Sequence, residues 1–411
     1  MTTEKEKFSL NRPQKRLGVK GMIFFIILMD MCIPLTTDMY LPAMPTMNGH
    51  LAGATDALVK SSVTVFFLFY ALGMLIWGPL SDKYGRKKPM IVGFLVYCLA
   101  TLLCAVSLNI YIFLIGRILQ GIGAACVTAV SFAMINDCFV GKTRETILAI
   151  AQTLSGFGPV IAPVVGSWIL LVTSWRGTFA ALLIFGVIGS ILTFMYQETV
   201  GEEERFKGSV FSTFGQLKVV VKNKAFTQIV LIYSVLYMPL YAYLNLSSYI
   251  YVNQFGCTEQ VYSYYHAFAS LLSMIGPAVY IKFFATSNKN KLTLICFGLC
   301  AVAGVVMIVM GSTSPVLFCG LIFVYYLFSN ILRPYSTNLI LSQNPGDVGS
   351  SSSVMNMSFN LMAVVGMLIA TFSFSNMVSA LGVILLVCSV VIVIGWWRLA
   401  HSGQKIPLLN D

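Results

Sequence analysis

Gly78-Pro79-Leu80-Ser81-Asp82-Lys83-Tyr84-Gly85-Arg86-Lys87-Lys88 separates two long apolar runs, about 59–79 and 89–107. Each run has the roughly 20 residues needed to cross the hydrocarbon of a bilayer as a helix. The stretch between them is a hydrophilic connection held at a membrane surface. Its Arg86-Lys87-Lys88 cluster favours the anionic cytoplasmic leaflet. Gly78 and Gly85 allow a tight turn and close helix approach. Asp82 has the chemistry to cap a helix N-terminus and to pair with the basic residues beside it.

Outward from this connection the pattern repeats. Twelve apolar runs are expected to be spans: about 21–44, 59–79, 89–107, 111–138, 146–172, 177–197, 225–253, 260–285, 292–311, 315–341, 349–376 and 378–399. The whole chain agrees with that count. Of its 411 residues 57% are hydrophobic and 10% charged, against about 25% charged in a soluble domain. So few charges cannot cover a water-facing surface, so most of the exterior faces lipid.

The net charge of +11 raises nucleic acid as a partner, but the charges occupy short connections and form no single basic face. With the N-terminus inside, 22 of the 26 lysines and arginines fall on the cytoplasmic side. This is the positive-inside pattern, with both termini cytoplasmic. The expected organisation is an N-tail (1–20), a six-helix bundle (21–197), a central cytoplasmic loop (198–224), a second six-helix bundle (225–399) and a C-tail (400–411). From Ser209 to Lys224 the loop is amphipathic and reads as a surface helix. The first apolar run lacks a small-residue cleavage site and reads as a retained span. A six-plus-six arrangement of this kind suggests a midplane binding site between two related bundles.

Among the ionisable residues inside apolar runs, where each needs a partner or a role, three stand out: Asp30, Asp38 and Arg117. At 1.5 Å per residue, Asp30 lies about 13 Å and Asp38 about 25 Å from the start of span 1. Arg117 enters span 4 from the opposite side, at a height comparable with Asp38, so the two could pair. Desolvation favours a protonated carboxylate, and a nearby arginine favours the charged form. Alternation between such surroundings would load and release a proton. A fixed ion pair joining spans 1 and 4 is the competing reading. Arg333 in span 10, beside Asn330 and Pro334, either lines a cavity or serves a structural pair. Tyr237 and Asn245 are the cavity candidates of the tyrosine-rich span 7. His266 is expected to be a packing residue.

Other chemistry finds no support. Nine of the ten cysteines lie in apolar runs, Cys257 sits in an outer loop, and no CxxC pair occurs. Neither a metal site nor a disulfide framework is expected. Gly141-Lys142-Thr143 fails as a phosphate loop because Asn136 stands where the first glycine is required. No HExxH or GxSxG string is present. The expectation is no enzyme and no cofactor.

The 78–88 stretch resembles the signature G-x-L-[AS]-D-x-x-G-R-[RK]-[RK] of the major facilitator superfamily at every fixed position, Gly78, Asp82, Gly85 and Arg86 included. Arg117-Ile-Leu-Gln120-Gly121-Ile-Gly123 resembles the span-4 motif of proton-coupled members. Gly156-Phe-Gly158-Pro159-Val-Ile-Ala-Pro163-Val-Val-Gly166 resembles the span-5 antiporter motif, with Ser167 where many members carry another glycine. Thr37-Asp38-Met39-Tyr40-Leu41-Pro42, with Asp30 eight residues upstream of Asp38, looks like the Bcr/CflA group of multidrug antiporters. The resemblance implies an all-α membrane protein of twelve helices in two bundles, resident in the inner membrane and monomeric. It implies export of small amphiphilic molecules in exchange for protons. Asp30, Asp38 and Arg117 would couple the protons. Asp30, Tyr237, Asn245, Asn330 and Arg333 would line the substrate cavity. Proton-driven uptake, or export of one endogenous compound such as a siderophore, would fit the same motifs.

Overall fold

The computed structural model describes residues 10–12, 14–206, 220–344, 348–402 and 406. Among them, twelve helical segments are long and apolar enough to cross a membrane. They are α1 (Gly18–Gly49), α2 (Asp56–Tyr84), α3 (Lys87–Val106), α4 (Ile110–Cys138), α5 (Gly141–Val172), α6 (Trp175–Met195), α7 (Lys224–Gln254), α8 (Glu259–Phe284), α9 (Lys289–Thr313), α10 (Pro315–Ser342), α11 (Gly349–Thr371) and α12 (Met377–Ala400). The chain divides into two compact units, Met1–Val210 and Phe211–Asp411. Most of the amphipathic stretch expected at 209–224 lies outside the described residues.

Helix starts follow local chemistry. The side chains of Thr55, Asn109 and Ser174 accept backbone N–H groups at the starts of α2, α4 and α6. Asn223, Thr258, Asn288, Ser314 and Asn376 do the same in the second unit. Each satisfies one of the donors a helix leaves open at its N-terminus.

α1 departs from a plain span. Its α-helical part breaks at Met31, between Gly18–Asp30 and Cys32–Asp38. Pro34 has no N–H to give the carbonyl four residues back, which is that of Asp30. Pro42 and Pro45 then carry the chain into a tighter 3-10 turn, Leu41–Gly49, so this element continues past the expected end at residue 44. α7 breaks likewise between Ser234 and Tyr237. There Pro239 leaves the Val235 carbonyl to the N–H of Met238 (3.1 Å).

Small residues set the packing within each unit. A Cβ on Gly166 of α5 would meet the Met39 carbonyl oxygen of α1 at 1.8 Å, and one on Gly158 would meet the Pro34 ring at 2.3 Å. In the second unit a Cβ on Gly366 of α11 would meet the Met238 carbonyl oxygen of α7 at 2.2 Å. In both units, therefore, a glycine presses one helix directly onto the backbone of a proline-broken helix, the close approach that only small residues allow in a membrane. Among the described residues α4 is the most enclosed span.

Candidate functional site: buried charges and a recess

In the first unit, α1 carries both buried carboxylates. Asp30 is the last residue of the helix before the break at Met31, 9% exposed. It accepts a hydrogen bond from Ser131 Oγ of α4 (3.1 Å). Asp38 ends the following segment, 3% exposed, and accepts from the neighbouring Thr37 Oγ1 (2.8 Å). Neither has a lysine, arginine or histidine within ion-pair distance among the described residues.

Arg117 is fully buried. Its Nη1 donates to Gln120 Oε1 (2.5 Å) and to the Thr36 carbonyl (3.3 Å), and its Nε to the Ser62 carbonyl (3.4 Å). The rings of Tyr40 and Phe66 each lie 4.5 Å from the guanidinium carbon, a cation–π arrangement. Among the described residues Nη2 has no hydrogen-bond partner. The pairing between Asp38 and Arg117 that height alone allows is absent from this conformation. The guanidinium is already spent on carbonyls and rings from α1 and α2. Gln120 extends the network to Thr101 of α3 (2.8 Å), and Tyr97 Oη meets Thr36 Oγ1 (2.7 Å). One buried arginine thus gathers α1, α2, α3 and α4.

The basic motif forms a second cluster. Arg86 donates from Nη1 to Asp82 (2.5 Å) and Ser81 Oγ (2.9 Å), and from Nε to Asp137 of α4 (2.8 Å). Asp82 lies in the last turn of α2 and is not an N-cap. The capping role at α3 falls to Glu198, whose carboxylate accepts the N–H groups of Arg86 (3.0 Å) and Lys87 (2.9 Å). Gly85 has φ +85°, and a Cβ there would sit 2.5 Å from Glu198 Oε2, so the turn requires glycine. Gly78, in contrast, stands in open space within α2 and makes no close approach. Asp137 and Glu198 escaped the sequence reading. The available signal was scarcity: with 15 acidic residues in the chain, one at the end of a span on the motif's side of the membrane was informative.

The second unit holds a recess of ≈ 60 Å³. α7 contributes Tyr233, Leu236, Tyr237 and Leu240, spaced by three and four residues on one helical face. α10 contributes a matching face that includes Asn330 and Arg333, and α11 contributes Phe359. Tyr237 stacks on Phe359 with ring centroids 4.5 Å apart. Tyr325 Oη donates to the Leu236 carbonyl, beside the α7 break. Three of the expected cavity residues, Tyr237, Asn330 and Arg333, therefore meet here. Asn245 does not line the recess. It is fully buried, and its amide donates to the Met367 carbonyl of α11 (3.1 Å). His266 is 2% exposed and stacks on Tyr243 (5.7 Å). Tyr325 and Phe359 were missed, because only the meeting of α7, α10 and α11 marks them out.

The sequence model described as "Major Facilitator Superfamily" matches residues 26–367. The chain belongs to the Major Facilitator Superfamily. The solved D-xylose-proton symporter superposes on this superfamily member with a TM-score of 0.73 over 95% of the chain and 98% of the symporter, at 13% identity. The inward-open xylose transporter XylE from E. coli gives 0.69 at 12% identity, over 95% and 98% of the two chains. At such identity the likeness establishes the twelve-helix fold of the superfamily alone. Among curated sequences, the uncharacterized MFS-type transporter YdgK of Bacillus subtilis (strain 168) is 25% identical over 344 residues, 82% of this chain and 85% of YdgK. The multidrug resistance protein MdtL of Shewanella oneidensis is 30% identical over 285 residues, 68% of this chain and 71% of MdtL. MdtL of Shewanella sp. (strain ANA-3) is 30% identical over 255 residues, 59% of this chain and 60% of that protein. The chain is thus a multi-pass membrane transporter of the superfamily.

Proposed function

We propose that this transporter exports small amphiphilic molecules, drugs or endogenous metabolites, across the inner membrane in exchange for protons. It works by alternating access, as a monomer with both termini in the cytoplasm. Its place within the superfamily is the Bcr/CflA group of antiporters. The observation that carries the reading is Asp30: a buried carboxylate at a helix break, hydrogen-bonded to Ser131 and paired with no cation among the described residues. Such a group has no structural ion pair to explain it. A protonated form donates a hydrogen bond, and a charged form accepts them, so proton uptake changes what α1 can bond to at its weakest point.

Asp38 is the second carboxylate of the same helix, and Arg117 is the fixed positive charge that holds α1 against its neighbours. Gly158 and Gly166 press α5 onto Pro34 and Met39 of α1, in and beside the segment that carries Asp38, and Pro159 and Pro163 complete the span-5 motif. Gly78, Asp82, Gly85 and Arg86 form the inner gate motif. Tyr237, Asn330 and Arg333 contribute to the substrate cavity. The likeness to MdtL supports efflux over uptake. The decisive test is direction. In inverted vesicles with an acidic lumen, an exporter accumulates substrate in the lumen, and dissipating the gradient releases it. Accumulation only under the opposite gradient would make the protein an uptake symporter.

A further inference from the structure

Arg333 lines the recess of the second unit with no carboxylate within ion-pair distance among the described residues. The sequence explains why. Residues 211–411 contain three acids, Glu259, Asp347 and Asp411, and none belongs to the helices that form the recess. Asp347 and Asp411 lie outside the described residues. Even the end of α10 nearest Asp347, at Ser342, is about 13 Å along the axis from Arg333. Arg333 is exposed, and an arginine exposed within a span reaches an interface, lines a water-filled cavity or takes a ligand.

The surroundings favour a ligand. The polar atoms beside Arg333 are neutral, and several are engaged: Asn330 Nδ2 donates to the Tyr326 carbonyl (2.8 Å), and Ser336 Oγ to the Arg333 carbonyl (3.0 Å). The opposite wall is aromatic, with Tyr237 stacked on Phe359. At ≈ 60 Å³ the recess has room for one polar group and a ring edge, against the roughly 300 Å³ or more of a whole-ligand pocket. A guanidinium presents a planar fork of donors that matches a carboxylate, sulfonate or phosphate.

We infer that this recess is a subsite for the acidic group of an aromatic substrate, with Arg333 as counter-ion and Tyr237 and Phe359 holding the ring. The inference rests on the transport reading and narrows its substrate class to aromatic anions. A lipid phosphate offers the same oxyanion chemistry without the ring, and this difference separates the two sources.

The test uses the full chain in phosphatidylcholine vesicles, with naphthalene-2-sulfonate and its neutral partner naphthalene-2-sulfonamide as probes. The wild type is expected to prefer the sulfonate. Arg333→Gln should reduce that preference about tenfold or more, Arg333→Lys should reduce it partially, and Tyr237→Leu should weaken both probes. Arg333→Lys keeps the charge and guards against a folding defect in the glutamine variant. Equal binding of both probes, unchanged in Arg333→Gln, would overturn the inference. So would displacement of the sulfonate by phosphatidylglycerol or inorganic phosphate with no preference for a ring. Proton movement in the same vesicles separates the two claims. Arg333-dependent binding without coupled protons would sink the transport reading and leave the subsite. Coupled protons driven only by neutral or cationic compounds would do the reverse.

Discussion

Asp30 and Arg117 show opposite uses of a buried charge. Arg117 is surrounded by acceptors and rings from two other helices, α1 and α2, so its truncation strands the carbonyls of Thr36 and Ser62 and opens a void. We expect Arg117→Ala to lose about 3 kcal/mol or more of stability, read by thermal unfolding in detergent. Among the described residues Asp30 has one side-chain hydrogen-bond partner, Ser131, and an asparagine can keep it. Asp30→Asn should therefore unfold within about 1 kcal/mol of the parent and yet transport no protons. Glu198 is a third case, because its carboxylate also accepts the N–H groups of Thr199 (2.9 Å) and Val200 (3.2 Å). Glu198→Ala should cost about 2 kcal/mol by unfastening α3 from the end of α6. Asp30, Asp38 and Arg117 stood out in the sequence because a charge in an apolar run is conspicuous. Asp137 and Glu198 did not, because a carboxylate at a span end is ordinary until the fold brings backbone N–H groups to it.

The elements tell a similar story about proline and glycine. The break in α1 follows from the missing N–H of Pro34. The 3-10 continuation to Gly49 was not legible in the sequence, because Pro45-Thr46-Met47-Asn48-Gly49 has turn composition and no apolar period to set a helical turn apart from a loop. The glycines of α5 were visible as a motif, but their targets are a matter of tertiary packing. Gly166→Ala must displace the Met39 carbonyl and should cost about 1–3 kcal/mol, with α1 pushed off α5. Gly320 of α10 faces open space, so Gly320→Ala should be neutral or stabilising by up to about 1 kcal/mol. Equal effects at the two sites would contradict the packing account. α11 repeats the device on α7 through Gly366, although the sequence of the second unit carries no comparable signature.

At the scale of the molecule, twelve apolar runs were countable because spans are long and connections short and charged. The same property hid the recess, whose lining comes from three helices and whose tyrosines are spread along a span rich in them. Orientation, read from the distribution of lysine and arginine, can be tested at Cys257, a half-buried residue between α7 and α8. An impermeant maleimide should label it in right-side-out vesicles and spare it in inverted ones. Burial pushes this thiol above its ordinary value. Its thiolate is therefore scarcer at neutral pH, and the labelling rate should still be climbing above about pH 8.5. The account as a whole stands on coupling. The most direct measurement is lumenal pH in inverted vesicles under an inside-acid gradient, with candidate substrates added to wild type and Asp30→Asn side by side. The account predicts that a transported compound makes the lumen more alkaline in the wild type and leaves it unchanged in Asp30→Asn. Substrate flux with no proton movement, or equal alkalinisation in the two proteins, would contradict it.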